Sequence, residues 1–159
     1  MTLRSLYLGA AAGVLLCAPV SAEAQRRPAR AAPAAVPTTH PRVQQALAHA
    51  LRTEPQTIEE QIAICEIPAP PFKEARRAED FRRRLEAIGL RNVRIDAEGN
   101  VIGERPGQPG EPTTVISGHL DTVFPEGTDV SVSREGTVLR GPGIGDDCRG
   151  LAVVLAVAR

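Results

Sequence analysis

Val43, Ala46, Leu47, Ala50 and Leu51 recur at i, i+3, i+4, i+7 and i+8. This spacing puts them on one helical face and predicts an amphipathic helix from about Pro41. A second helix is predicted to begin between Thr53 and Thr57, because Thr57 and Glu60 form a capping-box pattern. Ile58, Ile62 and Cys65 would make its buried stripe. Ile67-Pro68-Ala69-Pro70-Pro71 should end it, since proline cannot donate into the helical ladder and restrains the residue before it. Ala75, Ala78, Phe81, Leu85 and Ile88 lie on the apolar face of a third predicted helix, which Gly89 stops.

After Gly89 the period shortens. RNVRI (91–95) and VIGER (101–105) read as strands joined by an Asp96–Asn100 turn. PGQPGEP is a loop. TTVIS (113–117) is mostly apolar, which predicts a central strand of a sheet covered on both faces. DVSVS and TVLR flank a turn at Arg134-Glu135-Gly136 and read as a hairpin. The run LAVVLAVA (151–158) is apolar all round and predicts a helix buried on most sides. Together these elements predict an α/β domain with a mixed β-sheet flanked by helices.

The N-terminus has a different pattern. One early arginine precedes an apolar stretch from Leu6 to Val20 and then small residues, which predicts a secretory signal peptide over residues 1–24. The stretch is shorter than the ~20 apolar residues a spanning helix needs, so no membrane association is expected after cleavage. Cys17 follows Leu16, where a lipoprotein site wants a small residue. Residues 25–40 are rich in Pro and Ala without hydrophobic period and read as a linker. The folded part is expected over 41–159, exported to the periplasm or medium. Cleavage would leave Cys65, expected as a buried free thiol, and Cys148.

Charge argues against one class. The formal net charge is +0. The basic runs Arg76-Arg77 and Arg82–Arg84 share their helix with Glu79, Asp80 and Glu86 and have no interleaved aromatics. They read as a solvated helix face, and no nucleic-acid partner is expected.

Two stretches carry candidate chemistry. His119 and Asp121, in SGHLDTVFP, stand two residues apart at the end of the predicted central strand and would point the same way. Alone, the pair fits a hydrogen-bonded surface histidine. It also fits a metal ligand whose second ring nitrogen is held by a carboxylate. The second stretch is GPGIGDDCRG. It has no Gly-Lys-Ser/Thr ending, and Asp146 stands where a dinucleotide fingerprint wants Gly or Ala. Adjacent carboxylates at a helix start repel a pyrophosphate and attract a cation. Read alone, Asp146-Asp147 is ordinarily a helix cap, with a cation site as the alternative.

Taken together, GHLDTVFP and the glycine-rich turn with paired aspartates resemble the dinuclear-zinc exopeptidases and deacylases. That family includes peptidase T, glutamate carboxypeptidase, acetylornithine deacetylase and succinyl-diaminopimelate desuccinylase relatives. The resemblance extends upstream through Glu66-Ile67-Pro68-Ala69-Pro70, the helix ending at Gly89, and Asn100. It implies a hydrolase of amide bonds that uses two zinc ions per complete site. His119 would ligate one zinc, Asp146 would bridge both, and Asp121 would orient His119 as a catalytic residue. Asp147 would be a helix-start residue, and Cys148 would match no ligand. The expected substrates are short peptides, because Ile-Pro-x-Pro and the adjacent aspartates are similar to the peptidase T branch. N-acyl amino acids are the alternative. Family members carry paired glutamates, one of them the general base, and a lid domain that often forms a homodimer. These have no counterpart here. The expectation is therefore the N-terminal part of the catalytic domain, truncated before the lid and dimerisation domain and inactive alone. A non-catalytic truncated chain is the rival from another class.

Overall fold

The computed structural model describes residues 37–159, so the expected signal peptide and most of the linker lie outside the described residues. Helix α1 spans Pro41–Cys65, α2 Ala75–Ala87 and α3 Cys148–Ala158. Strands β1 (Arg91–Ile95) and β2 (Val101–Glu104) pair antiparallel, as do β3 (Ser133–Glu135) and β4 (Val138–Arg140).

The two predicted N-terminal helices are one. Helix α1 runs through Pro55 without ending. Thr57 does not cap; its hydroxyl donates back to the Thr53 carbonyl at 3.2 Å, and Thr53 donates to the His49 carbonyl at 3.0 Å. An interior proline costs a helix about 3 kcal/mol. The helix persists because its second half is anchored: Thr57, Gln61, Ile64 and Cys65 are buried there. Leu51, whose carbonyl loses its bond to position 55, is exposed and can use water. His40 serves as the N-cap, its Nδ1 accepting the Arg42 amide at 3.2 Å. In the first half, Leu47 and Leu51 are exposed, so that predicted stripe is uncovered among the described residues.

Helix α2 follows its predicted stripe, with Ala78, Phe81 and Leu85 buried. One correction concerns charge: Arg77, read as part of a solvated face, is 1% exposed. It precedes Phe81 and Leu85 by one and two helical repeats, which places it on the buried side. Ile64, Phe81, Leu85, Leu151 and Leu155 form the core, with Ile88, Leu90, Val93, Val101, Leu120 and Val154 packed around it. Gly103 lets β2 approach closely, since a Cβ there would lie 2.9 Å from Leu90 Cδ1 and 3.2 Å from Leu85 Cδ1.

The expected mixed sheet does not form. The described residues hold two separate two-stranded antiparallel sheets. Residues 113–117 have no ladder partner, and Val115 and Ile116 are exposed. Apolar patterning reports a strand's readiness to pair, but pairing needs a second edge, and no described strand lies alongside. A hairpin forms but is shifted from the expected one: β3 takes up Arg134 and Glu135 from the predicted turn, Glu135 pairs with Val138 around Gly136-Thr137, and residues 129–132 lie outside the strand. Helix α3 covers one face only: Leu151, Ala152 and Leu155 are buried, whereas Val153 and Val157 are exposed. Among the described residues no helix is long and apolar enough to cross a membrane.

The free-thiol expectation is also overturned. Cys65 and Cys148 form a disulfide across a sequence separation of 83, with Cα atoms 5.4 Å apart. Both are fully buried. The end of α1 and the start of α3 pack together, which brings the two sulfurs within bonding reach.

Candidate metal site

The His119–Asp121 stretch has no sheet to hold it, and its backbone is fixed by other means. The His119 amide donates to Asp147 Oδ2 at 3.0 Å. The Leu120 carbonyl accepts from Arg77 Nη1 at 2.7 Å. The Thr122 amide donates to the Ala69 carbonyl at 2.8 Å, and its hydroxyl adds a second bond there at 3.2 Å. Leu120 packs against the core while the side chains of His119 and Asp121 remain about half exposed.

The glycine-rich loop is tied down from α1. Gln61 Nε2 donates to the Ile144 carbonyl at 2.6 Å, and Arg149 reaches Gln61 Oε1 at 3.3 Å and Glu54 Oε1 at 2.9 Å. The disulfide holds the next turn. Gly143 takes φ +76, and a Cβ there would lie 3.0 Å from Thr122 Cγ2, so the loop folds directly onto the His119–Thr122 stretch. Asp147 occupies the position before α3, as expected for a helix start. However, its side chain makes no capping bond and reaches across to His119. Gly118 and Gly150 leave room for this: a Cβ would lie 2.7 Å from Asp147 Oδ2 at the first and 1.8 Å from Oδ1 at the second.

The three residues singled out in the sequence therefore meet. His119 Nδ1 lies 3.0 Å from the Asp121 carbonyl and 3.1 Å from Asp121 Oδ1. His119 Nε2 lies 2.9 Å from Asp146 Oδ1. Both ring nitrogens thus face oxygen acceptors, an arrangement that favours the doubly protonated ring. The His119 pKa is raised above its ordinary value, chiefly by the Asp146 hydrogen bond; desolvation opposes this and the Asp121 bonds add to it.

An imidazole nitrogen and a carboxylate oxygen are donor types that zinc accepts. The carboxylate on the opposite ring nitrogen is the usual partner of a metal-bound histidine. The donor set fits zinc in kind but is short in number. Among the described residues no group of three or more His, Cys, Asp or Glu side chains could hold a metal ion. Asp121 lies on the Nδ1 side of the ring and Asp146 on the Nε2 side, so the two carboxylates do not share a point. Glu66 and Glu74 do not help: Glu66 Oε1 accepts the Val132 amide at 3.0 Å and Glu74 Oε1 the Phe72 amide at 2.6 Å.

Two participants were not foreseen in the sequence. The periodicity of α2 was a signal for Arg77, whereas nothing in the sequence pointed to the long reach of Asp147.

Residues 100–159 match the model of Peptidase family M28, a family of zinc-dependent peptidases. The matched stretch contains His119, Asp121, Asp146 and Asp147, and it agrees with the resemblance at the level of a metallopeptidase-type hydrolase. No curated protein matches the chain.

Proposed function

We propose that this chain carries part of the active site of a zinc-dependent exopeptidase acting on short peptides. The observation that carries the reading is His119 held between Asp121 and Asp146 inside the stretch similar to Peptidase family M28. His119 Nε2 and Asp146 would hold the metal. Zinc, when bound, polarises a carbonyl and lowers the pKa of a water molecule. Asp121 holds the His119 ring by Nδ1, which turns Nε2 toward Asp146 and makes Nε2 the nitrogen that would take the metal once its proton has left. Asp146 is the most exposed of the three, its side chain 92% accessible, so its carboxylate would be open to a metal ion arriving from solvent.

A catalytic zinc takes about three protein ligands plus water, and the described residues bring two donors together. Bound zinc without turnover is the expectation for the 159-residue chain alone. The apolar stretch from Leu6 to Val20 and the Cys65–Cys148 disulfide both support export, since disulfides persist in oxidising compartments.

The test is zinc content and affinity of the full chain, with a panel of di- and tripeptides and N-acyl amino acids as substrates. Asp146→Ala should lose zinc. Asp121→Asn should keep most of it at reduced affinity. Wild-type affinity equal to that of His119→Ala would refute the metal reading. Zinc-dependent turnover that vanishes in His119→Ala would refute the expectation of inactivity.

A further inference from the structure

Arg77 is the largest fully buried side chain of the described residues, and its charge has no carboxylate bonded to it. A buried charge is costly unless its hydrogen bonds are satisfied. Arg77 meets that demand with backbone alone. Nε and Nη2 donate to the Ile67 carbonyl at 3.1 and 2.6 Å, Nη2 also reaches the Cys65 carbonyl at 3.3 Å, and Nη1 donates to the Leu120 carbonyl at 2.7 Å. Cys65 and Ile67 belong to the end of α1 and the turn after it. Leu120 is the residue between His119 and Asp121. The planar fork therefore spans two chain segments that no sheet connects. Asp121 contributes a favourable charge nearby, while burial holds the guanidinium below its ordinary pKa.

We propose that Arg77 is a positioning residue of the candidate metal site: its buried guanidinium clamps the Leu120 carbonyl to the Cys65–Ile67 turn and so sets where His119 and Asp121 stand. The inference rests on the metal reading above and extends it to a residue outside 100–159, the residues that match the model of Peptidase family M28. Chemistry demands arginine here. A lysine carries its donors on one nitrogen and cannot span carbonyls on both segments in the plane of a fork. Leucine or methionine would fill the volume and leave the Leu120 carbonyl with no partner.

The experiment uses the full chain with Arg77→Met, Arg77→Lys and Leu85→Ala. The last removes core packing on the β2 side without touching the clamp. Each variant is measured for Zn2+ affinity by competition with a chromophoric chelator, for hydrogen exchange at the His119 and Thr122 amides, and for thermal stability. Arg77→Met should weaken Zn2+ binding roughly tenfold or more, the scale expected when a group that orients a ligand is lost. It should also speed exchange at both amides relative to those of β1 and β2. Arg77→Lys should fall between, and it serves if Arg77→Met does not fold. Leu85→Ala should lower stability and leave affinity within about twofold. Arginine variants that track Leu85→Ala in affinity and in exchange would overturn the proposal. If the wild-type chain binds no Zn2+, the metal reading fails by itself. Exchange at His119 and Thr122 then decides whether Arg77 positions this stretch: unchanged exchange overturns the inference, and selective loss of protection upholds it.

Discussion

Reducing the Cys65–Cys148 disulfide is expected to be the largest single perturbation of this fold. The bond closes a loop with a sequence separation of 83. In the chain-entropy account, a loop of that length removes about 15 cal/mol/K from the unfolded ensemble, or about 4.5 kcal/mol at 25 °C. That is a large part of the ~5–15 kcal/mol by which domains are ordinarily stable. Both cysteines are fully buried, so reduction leaves two small apolar thiols in place and adds little cost of its own. Urea unfolding with and without a phosphine reductant reads the difference. With a slope of ~1–3 kcal/mol/M, the midpoint should fall by at least about 1.5 M. The effect should vanish in a Cys65→Ala/Cys148→Ala variant, which resembles the reduced chain whatever the redox conditions. Oxidised and reduced chains within ~1 kcal/mol of each other would refute the reasoning. That result would mean the unfolded chain already holds these segments together.

Other outcomes follow from the site and the turns. In the metal-free chain, NMR titration should give His119 a pKa above its ordinary 6.5, lowered more by Asp146→Asn than by Asp121→Asn. Because the folded value is raised, protonated His119 contributes stability that is fully present below the unfolded pKa and is lost as pH rises through the folded one. Zn2+ affinity should run the other way, rising with pH across that folded value as the proton leaves Nε2, and a pH-independent affinity would contradict this. Gly150→Ala should destabilise by about 1–3 kcal/mol in thermal melts, although Ala normally favours a helix over Gly, because its Cβ would lie 1.8 Å from Asp147 Oδ1. Phe72 is 98% exposed at φ +64, so Phe72→Gly should be neutral or stabilising by up to about 1 kcal/mol. A loss of stability there would show that the ring makes a contact of its own.

Local pattern was enough to find α2, the β1–β2 pair and the start of α3, since each depends on neighbours within a few residues. It announced a hairpin too, but set the turn at Arg134-Glu135-Gly136 where the structure turns at Gly136-Thr137. The continuity of α1 through Pro55 was not legible. It depends on how firmly Thr57, Gln61 and Ile64 are held by parts of the chain far away in sequence. The same limit explains the 113–117 stretch, whose apolar residues announce a strand but cannot supply its neighbour. His119, Asp121 and Asp146 were legible because their chemistry is written in residue type and spacing. Arg77 was half legible: its position on the apolar stripe was visible, but a basic pair on a charged helix suggested solvent. The disulfide was not legible, since two cysteines 83 residues apart say nothing of proximity until the ends of α1 and α3 meet.

The way the His119–Asp121 stretch is suspended bears on its portability. Its amide at 119 hangs from Asp147, its carbonyl at 120 from Arg77, and its amide at 122 from Ala69. A peptide copied from this segment, or the same residues grafted onto another scaffold's strand, would carry the donors without the geometry. The smallest transplantable unit is a discontinuous set reaching from the end of α1 to the start of α3. Protein engineers would have to move the four residues His119–Thr122 with their three distant anchors.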